Sequence, residues 1–306
     1  MKRIARTFTQ DIDFVFVCPA LLWQFIFLYM PFALLAVHSI IDYAPTLKTY
    51  VITFSHYAQV FNSLYFRIIV QSFLLATLTA FLCFLIAYPV AYFLALKVPK
   101  RYKTYLLFLL ILPSWTSLVV QVYAWFFLLE KNGFISRTLQ SLGIISPSYH
   151  LLNNYFTIVL VMISCYLPFM ILPIYAVLEK MNKNYFEASA DLGANRFETF
   201  KRIVFPLSMS GVYSGILLVF IPSFGEYAIP SLVGGSKYVF WGSVIVEKFL
   251  RSRDWQVGSA LVIVGIMVPV LVILGGYTFS VLRQKRKEAY NHAIFHPNNE
   301  LREFWS

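Results

Sequence analysis

The chain has 306 residues, of which 59% are hydrophobic, 18% aromatic and 13% charged, with a mean hydropathy of +0.69. Soluble chains carry about 25% charged residues, so this composition excludes an ordinary soluble domain and points to an integral membrane protein. The net charge of +11 sits in short clusters beside apolar runs, a pattern of topology and anionic-lipid contact rather than of nucleic-acid binding.

Charge-free runs fall at 14–41, 68–96, 104–129, 155–178, 203–225 (the span itself drawn to 229) and 255–282. Each exceeds the roughly 20 residues that cross a hydrocarbon core of about 30 Å. The runs predict six helices in a single transmembrane domain covering 1–306, all-α in class. The first follows Lys2, Arg3 and Arg6 but is longer than a cleavable signal core of about 7–15 residues; it reads as a retained helix. Every run contains proline, which kinks helices and is tolerated in membrane bundles. Cys18, Cys83 and Cys165 lie inside runs without paired spacing, as small buried hydrophobes do. Tyr29, Trp115, Trp125, Trp241 and Trp255 stand near run ends, consistent with interfacial belts.

Lys and Arg divide unevenly between the two sides. The N-terminal tail, the connections after the second and fourth runs and the C-terminal tail hold seventeen of the 25. The positive-inside rule then places both termini, and the connection after the fourth run, in the cytoplasm.

That connection is polar. Asn184 with Glu187, and Asn195 with Glu198, have the spacing of capping boxes, and Gly193 between them suits a left-handed stop. A short helix over 185–192, a sharp turn and a second helix from 196 are predicted, with Pro206 near the membrane entry. So short a helix is marginal alone in water and needs a partner or the bundle. Further on, Glu226 follows Pro206 by 20 residues, about 30 Å of helix. It sits near the outer end of the fifth span, placed to receive a cation, to cap a helix or to pair with a basic side chain. The connection over 226–254 contains Pro230 and Gly234-Gly235. Val244, Ile245, Phe249 and Leu250 then form an apolar stripe, read as a short helix on the membrane surface. His292 and His296 have helical metal spacing but no companion ligand, and Pro297 adjoins them; no metal site is expected. The chain lacks a G-x-x-x-x-G-K-[ST] loop and any catalytic dyad, so it is not expected to be an enzyme.

Residues 187–206, EASADLGANRFETFKRIVFP, resemble the EAA signature E-A-A-x3-G-x9-I-x-L-P of the membrane subunits of binding-protein-dependent ABC importers. The spacing matches in full; Ser189 replaces the second alanine and Phe205 the leucine. The resemblance implies a six-helix type I ABC importer permease fold with both termini cytoplasmic. It makes 184–206 a cytoplasmic coupling segment seated in a separate ATPase subunit, with Glu187, Ala188, Ser189, Asp191, Gly193, Ile203 and Pro206 as the coupling residues. It implies two ATPase copies that hold ATP and Mg, a second homologous permease and a soluble substrate-binding protein. No cofactor is implied on this chain, and the surroundings are a bacterial inner membrane.

The stretches LPSWTS at 112–117, VYAW at 122–125, LPFMILPIY at 167–175, VFIPSFGEYAIPSLVGG at 219–235 and RDW at 253–255 look like polyamine importer permeases, closest to the putrescine type. Members of that group often carry arginine at the position of Gln121. The resemblance makes putrescine and spermidine the expected cargo, with Glu226, Tyr227, Tyr123 and Trp125 as pathway residues, acidic and aromatic groups that suit a polycation. Ferric iron, opines and aminoalkylphosphonates are carried by similar permeases. An ion-coupled transporter or an intramembrane enzyme needs charged groups within the spans; the spans here hold almost none.

Overall fold

The computed structural model describes residues 17–44, 49–146, 148–182 and 184–295. Hydrocarbon offers the backbone no hydrogen-bond partners, so spanning segments must close their bonds internally. Among the described residues, six helical segments are long and apolar enough to cross a membrane: Val17–Ile40, Ser63–Leu96, Leu118–Ser141, Tyr155–Glu179, Arg196–Phe224 and Trp255–Gly276. The elements in order are α1 (Val17–Ile40), a hairpin of β1 (Ile41–Ala44) and β2 (Thr49–Ile52), α2 (Ser55–Val60), α3 (Ser63–Leu96) and α4 (Lys100–Ile111). They continue with α5 (Leu118–Leu129), α6 (Phe134–Ser141), α7 (Tyr155–Glu179), α8 (Asn184–Asp191) and α9 (Arg196–Phe224). Last come α10 (Ala228–Val233), α11 (Trp241–Val246) and α12 (Trp255–Phe295). The hairpin pairs Ile41 with Ile52 and Ala44 with Thr49 and is the one sheet among the described residues of an otherwise all-α fold.

The chain divides into two units, one of residues 1–37 with 259–306 and one of 38–258. In the first unit, α1 buries none of its apolar window, and exposed aromatics such as Trp23 and Phe27 touch each other with centroids 4.2 Å apart and rings tilted by 34°. That all-round apolar surface suits lipid.

In the second unit α3, α7 and α9 pack together and hold the core. Close approach is built from small residues, as in membrane bundles generally. Ala76, Ala80, Cys83, Ala87 and Ala91 line the buried stripe of α3. Gly211 and Gly215 of α9 meet the Met170–Ile174 stretch of α7. A Cβ on Gly211 would lie 2.7 Å from the Pro173 carbonyl oxygen, and one on Gly215 2.7 Å from Met170 Sδ.

Two π turns share one cause. Phe25–Tyr29 precedes Pro31 and Phe200–Val204 precedes Pro206, each by two residues. Proline has no N–H to continue the ladder, and the turn before it widens, so that Met30 donates to the Phe25 carbonyl and Phe205 to that of Phe200.

The third span departs from the sequence reading. The run 104–129 is not one helix: α4 ends at Ile111, Leu112–Trp115 forms a 3-10 turn around Pro113, and Thr116 and Ser117 are extended before α5 begins. The Pro113 carbonyl accepts from Thr116 N at 3.1 Å and Thr116 Oγ1 at 2.7 Å, and the Gln121 side-chain amide donates to the same carbonyl and to Thr116 Oγ1 (3.0 Å), which braces the break.

The connection before the last span also differs. Trp241 is 1% exposed and its backbone N–H donates to Ser72 Oγ at 2.8 Å. A Cβ on Gly242 would lie 2.2 Å from the Gly225 carbonyl oxygen. The start of α11 is therefore inserted between elements of this unit instead of lying on the membrane, and Trp241 belongs to no interfacial belt. Of the expected apolar stripe, Val244 is buried and Leu250 exposed. Lys248 Nζ meets Asp254 Oδ2 at 3.0 Å while Asp254 Oδ1 accepts from Val257 N. The bond to Asp254 raises the Lys248 pKa above its ordinary value, and partial burial works against the rise. His296 and the ends of both tails lie outside the described residues.

Candidate functional site

The connection between α7 and α9 folds as two helices across a locked turn. Asn182, rather than Asn184, opens α8: its Oδ1 accepts from Asn184 N at 3.1 Å, and Asn184 is itself the first helical residue. At the other end Gly193 has φ +76°. Ala194 N donates to the Ser189 carbonyl at 3.1 Å and Gly193 N to that of Ala190 at 2.9 Å, the Schellman pattern that ends a helix on a left-handed residue. Asn195 and Glu198 then form a full capping box, with bonds of 2.9 and 3.0 Å, and α9 starts.

Ser189 is the buried residue of α8, 4% exposed, and its hydroxyl lies 2.7 Å from Thr199 Oγ1 of α9. The residue that departs from the alanine of the EAA pattern thus ties the two helices together. Glu187, Ala188, Ala190, Asp191 and Gly193 face outward. Beside them Leu192 is 88% exposed and Phe197 70%, an apolar pair on a polar segment. The sequence reading passed over both; an apolar residue on either side of a locked glycine turn was the available signal.

The base of α9 is anchored to α3 through aromatic edges. The Tyr88 ring stands 5.8 Å from Phe200 and 5.6 Å from Phe205, and Tyr92 stands 5.9 Å from Phe200. Tyr88 OH and Ser208 Oγ are 2.9 Å apart. Ile203 lies half-buried in the π turn and Pro206 is exposed just beyond it.

At the far end of α9, Glu226 occupies the corner before α10. It is 7% exposed. Its Oε2 accepts from Tyr166 OH of α7 at 2.5 Å, and its Oε1 accepts from Ala228 N at 2.8 Å and Ile229 N at 3.4 Å. Of the roles left open by the sequence, the geometry supplies the cap. Tyr227 and Tyr123 are about half-exposed, while Trp125 Nε1 donates to Ser164 Oγ at 3.1 Å. The structure brings Glu226 to Tyr166, a residue the sequence reading did not single out, and not into direct bonding with Tyr227, Tyr123 or Trp125.

Comparison with known proteins places this geometry. The chain is 34% identical over 267 residues to the spermidine/putrescine transport system permease protein PotB of Haemophilus influenzae, covering 87% of this chain and 93% of that one. The protein of the same description from Escherichia coli K12 matches at 34% over 268 residues, 87% and 97% of the two chains. The inner membrane ABC transporter permease protein YdcU of E. coli K12 is 30% identical over 237 residues, 72% of this chain and 74% of that one. Among solved structures, a bacterial ABC transporter involved in the import of the acidic polysaccharide alginate superposes with a TM-score of 0.69 at 17% identity. That match covers 91% of this chain and 98% of the other, and it speaks for the fold alone. Residues 87–287 match the family described as binding-protein-dependent transport system inner membrane component, so the chain belongs to that family and is a membrane permease subunit of an ABC transporter.

Proposed function

We propose that this permease imports polyamines, putrescine or spermidine, by alternating access. The observation that carries the cargo reading is the 34% identity, over 87% of the chain, with permeases of spermidine/putrescine systems. In this reading a soluble binding protein delivers the cargo on the outer side. Two copies of a separate ATPase bind ATP and Mg, and a second, homologous permease completes the pathway. This chain binds no cofactor of its own, and both termini lie in the cytoplasm, as the basic clusters favour.

The segment 184–206 is the surface that the ATPase grips. Leu192 and Phe197 supply apolar anchors that water does not favour, and Glu187, Ala188, Asp191 and Gly193 form the slim outer face around them. Ser189 holds the two helices as one body, and Ile203 and Pro206 lead it into the membrane.

Uptake of labelled putrescine and spermidine in cells lacking this chain, with the partner genes intact, tests the reading. Loss of flux, restored by the wild type and not by Gly193→Val, is expected. Unchanged uptake of both, in a strain with no other polyamine importer, overturns the cargo and leaves the permease class standing.

Glu226 is proposed as the local acceptor for the cation, with Tyr227, Tyr123 and Trp125 as nearby aromatic faces. Glu226→Gln keeps an oxygen for the α10 amides but loses the charge. It is expected to assemble normally and to lower uptake at limiting polyamine about tenfold or more, since a bond to a charged group contributes about 1.5–3 kcal/mol. Glu226→Ala also loses the cap and is expected to reduce the yield of folded protein. Wild-type uptake by Glu226→Gln assigns the residue to the corner alone.

A further inference from the structure

An open groove of about 620 Å³ runs between α3 and α4, lined by Pro89, Val90, Phe93 and Leu94 on one side and by Leu106 and Leu110 among others on the second. These residues share one face of each helix, at spacings of one, three and four. Every lining side chain is apolar, so water in the groove would lack the polar partners that hold it. The volume is within the range of ligand sites.

The short connection at one end of the groove is basic. Lys97, Lys100 and Arg101 are exposed, and none of them forms an ion pair with an acidic side chain among the described residues. Lys103, by contrast, is already used: its Nζ donates to the Ala95 carbonyl at 2.5 Å and lies 3.7 Å from Glu179. Arg101 donates to Tyr102 OH and its guanidinium lies 4.6 Å from that ring, a pairing of cation and aromatic of the kind that anchors at membrane surfaces. From Pro89 to Lys97 is about 12 Å of helix, and from Lys100 to Leu110 about 15 Å. Both match one leaflet of a hydrocarbon core of about 30 Å.

We propose that this groove is a binding site for an anionic phospholipid. One acyl chain lies between α3 and α4, and the headgroup phosphate is held by Lys97, Lys100 and Arg101. Three like charges close together repel; a negative headgroup relieves that repulsion, and a tail of one leaflet's length fills the apolar slot below. The inference rests on the chain spanning a membrane and not on the identity of its cargo.

The test uses the assembled transporter in detergent, titrated with phosphatidylglycerol and with phosphatidylcholine and read by native mass spectrometry. Wild type is expected to retain phosphatidylglycerol in preference. Lys100→Ala with Arg101→Ala is expected to weaken that binding about 30-fold, because two of the three cations that hold the phosphate are removed. Val90→Trp, which fills the groove, is expected to weaken binding of both lipids while leaving the basic cluster intact. Equal retention of the two lipids by wild type, or unchanged phosphatidylglycerol binding in the double variant, overturns the proposal. So does loss of the ATPase subunits from the double variant with lipid binding unaltered, which would make the cluster a protein interface.

Discussion

Gly211→Ala is expected to destabilise the permease by about 1–3 kcal/mol, the cost of forcing an atom into a filled core. The added Cβ would lie 2.7 Å from the Pro173 carbonyl oxygen and 3.0 Å from Ile174 Cα, both backbone atoms of α7. Backbone cannot turn aside as a side chain can, so the two helices must separate. Gly215→Ala, one turn away, meets Met170 Sδ first, the mobile end of a flexible side chain. It is expected to cost about 1 kcal/mol or less, partly offset by the better helix propensity of alanine. Gly225→Ala meets nothing within 4 Å and is expected to change stability by about 0.5 kcal/mol at most. Thermal unfolding of the three variants in one detergent gives the order. Equal midpoints for Gly211→Ala and Gly225→Ala would refute tight packing of α7 on α9.

Gly193→Val is expected to leave the chain inserted and to uncouple it from ATP hydrolysis. A Cβ at this position has open space, so the fault is not steric crowding by neighbours. It is the backbone: at φ +76° an L-residue is strained by about 1–2 kcal/mol, and a β-branched one by more. About 2 kcal/mol shifts the turn toward other conformations by about 30-fold, which changes how Leu192 before it and Phe197 after it are set relative to each other. Asparagine tolerates left-handed backbone, so Gly193→Asn is expected to retain most of the coupled activity. Substrate-stimulated ATP hydrolysis by the reconstituted complex separates the two, and normal stimulation with valine would count against the assignment. The comparison of valine with asparagine removes the objection that any side chain here blocks docking.

Features encoded within a few residues were legible in the sequence. Gly193 as a left-handed stop and the Asn195–Glu198 box require only local spacing, and both appear in the structure. The helix α8 begins at Asn184, one residue before the expected 185, and its capping asparagine is Asn182, two residues before the expected Asn184; the two offer the same side chain, and only geometry decides which one accepts. The break at Leu112–Trp115 was hidden because a charge-free run reports transfer to lipid, not continuity of the backbone ladder. Pro113 was visible, but Gln121 reaching back eight residues to brace the turn was not. The Glu226–Tyr166 bond joins residues 60 apart in sequence. The burial of Trp241 depends on Ser72, 169 residues earlier. Such pairs are set by tertiary packing, which periodicity does not encode.

The 29 residues of α9 run without a stop from the capping box at Asn195 to the corner that holds Glu226. At 1.5 Å per residue this is a rod of about 43 Å, pinned near its base by Tyr88 and Tyr92. Gly211, Gly215 and the Tyr166–Glu226 bond also seat the rod on α7 along the rest of its length, so it is not free to swing about its base. A tilt of about 5° over about 43 Å is a displacement of about 4 Å, and α7 is expected to travel with α9 as one lever between the Asn195 box and the Glu226 corner.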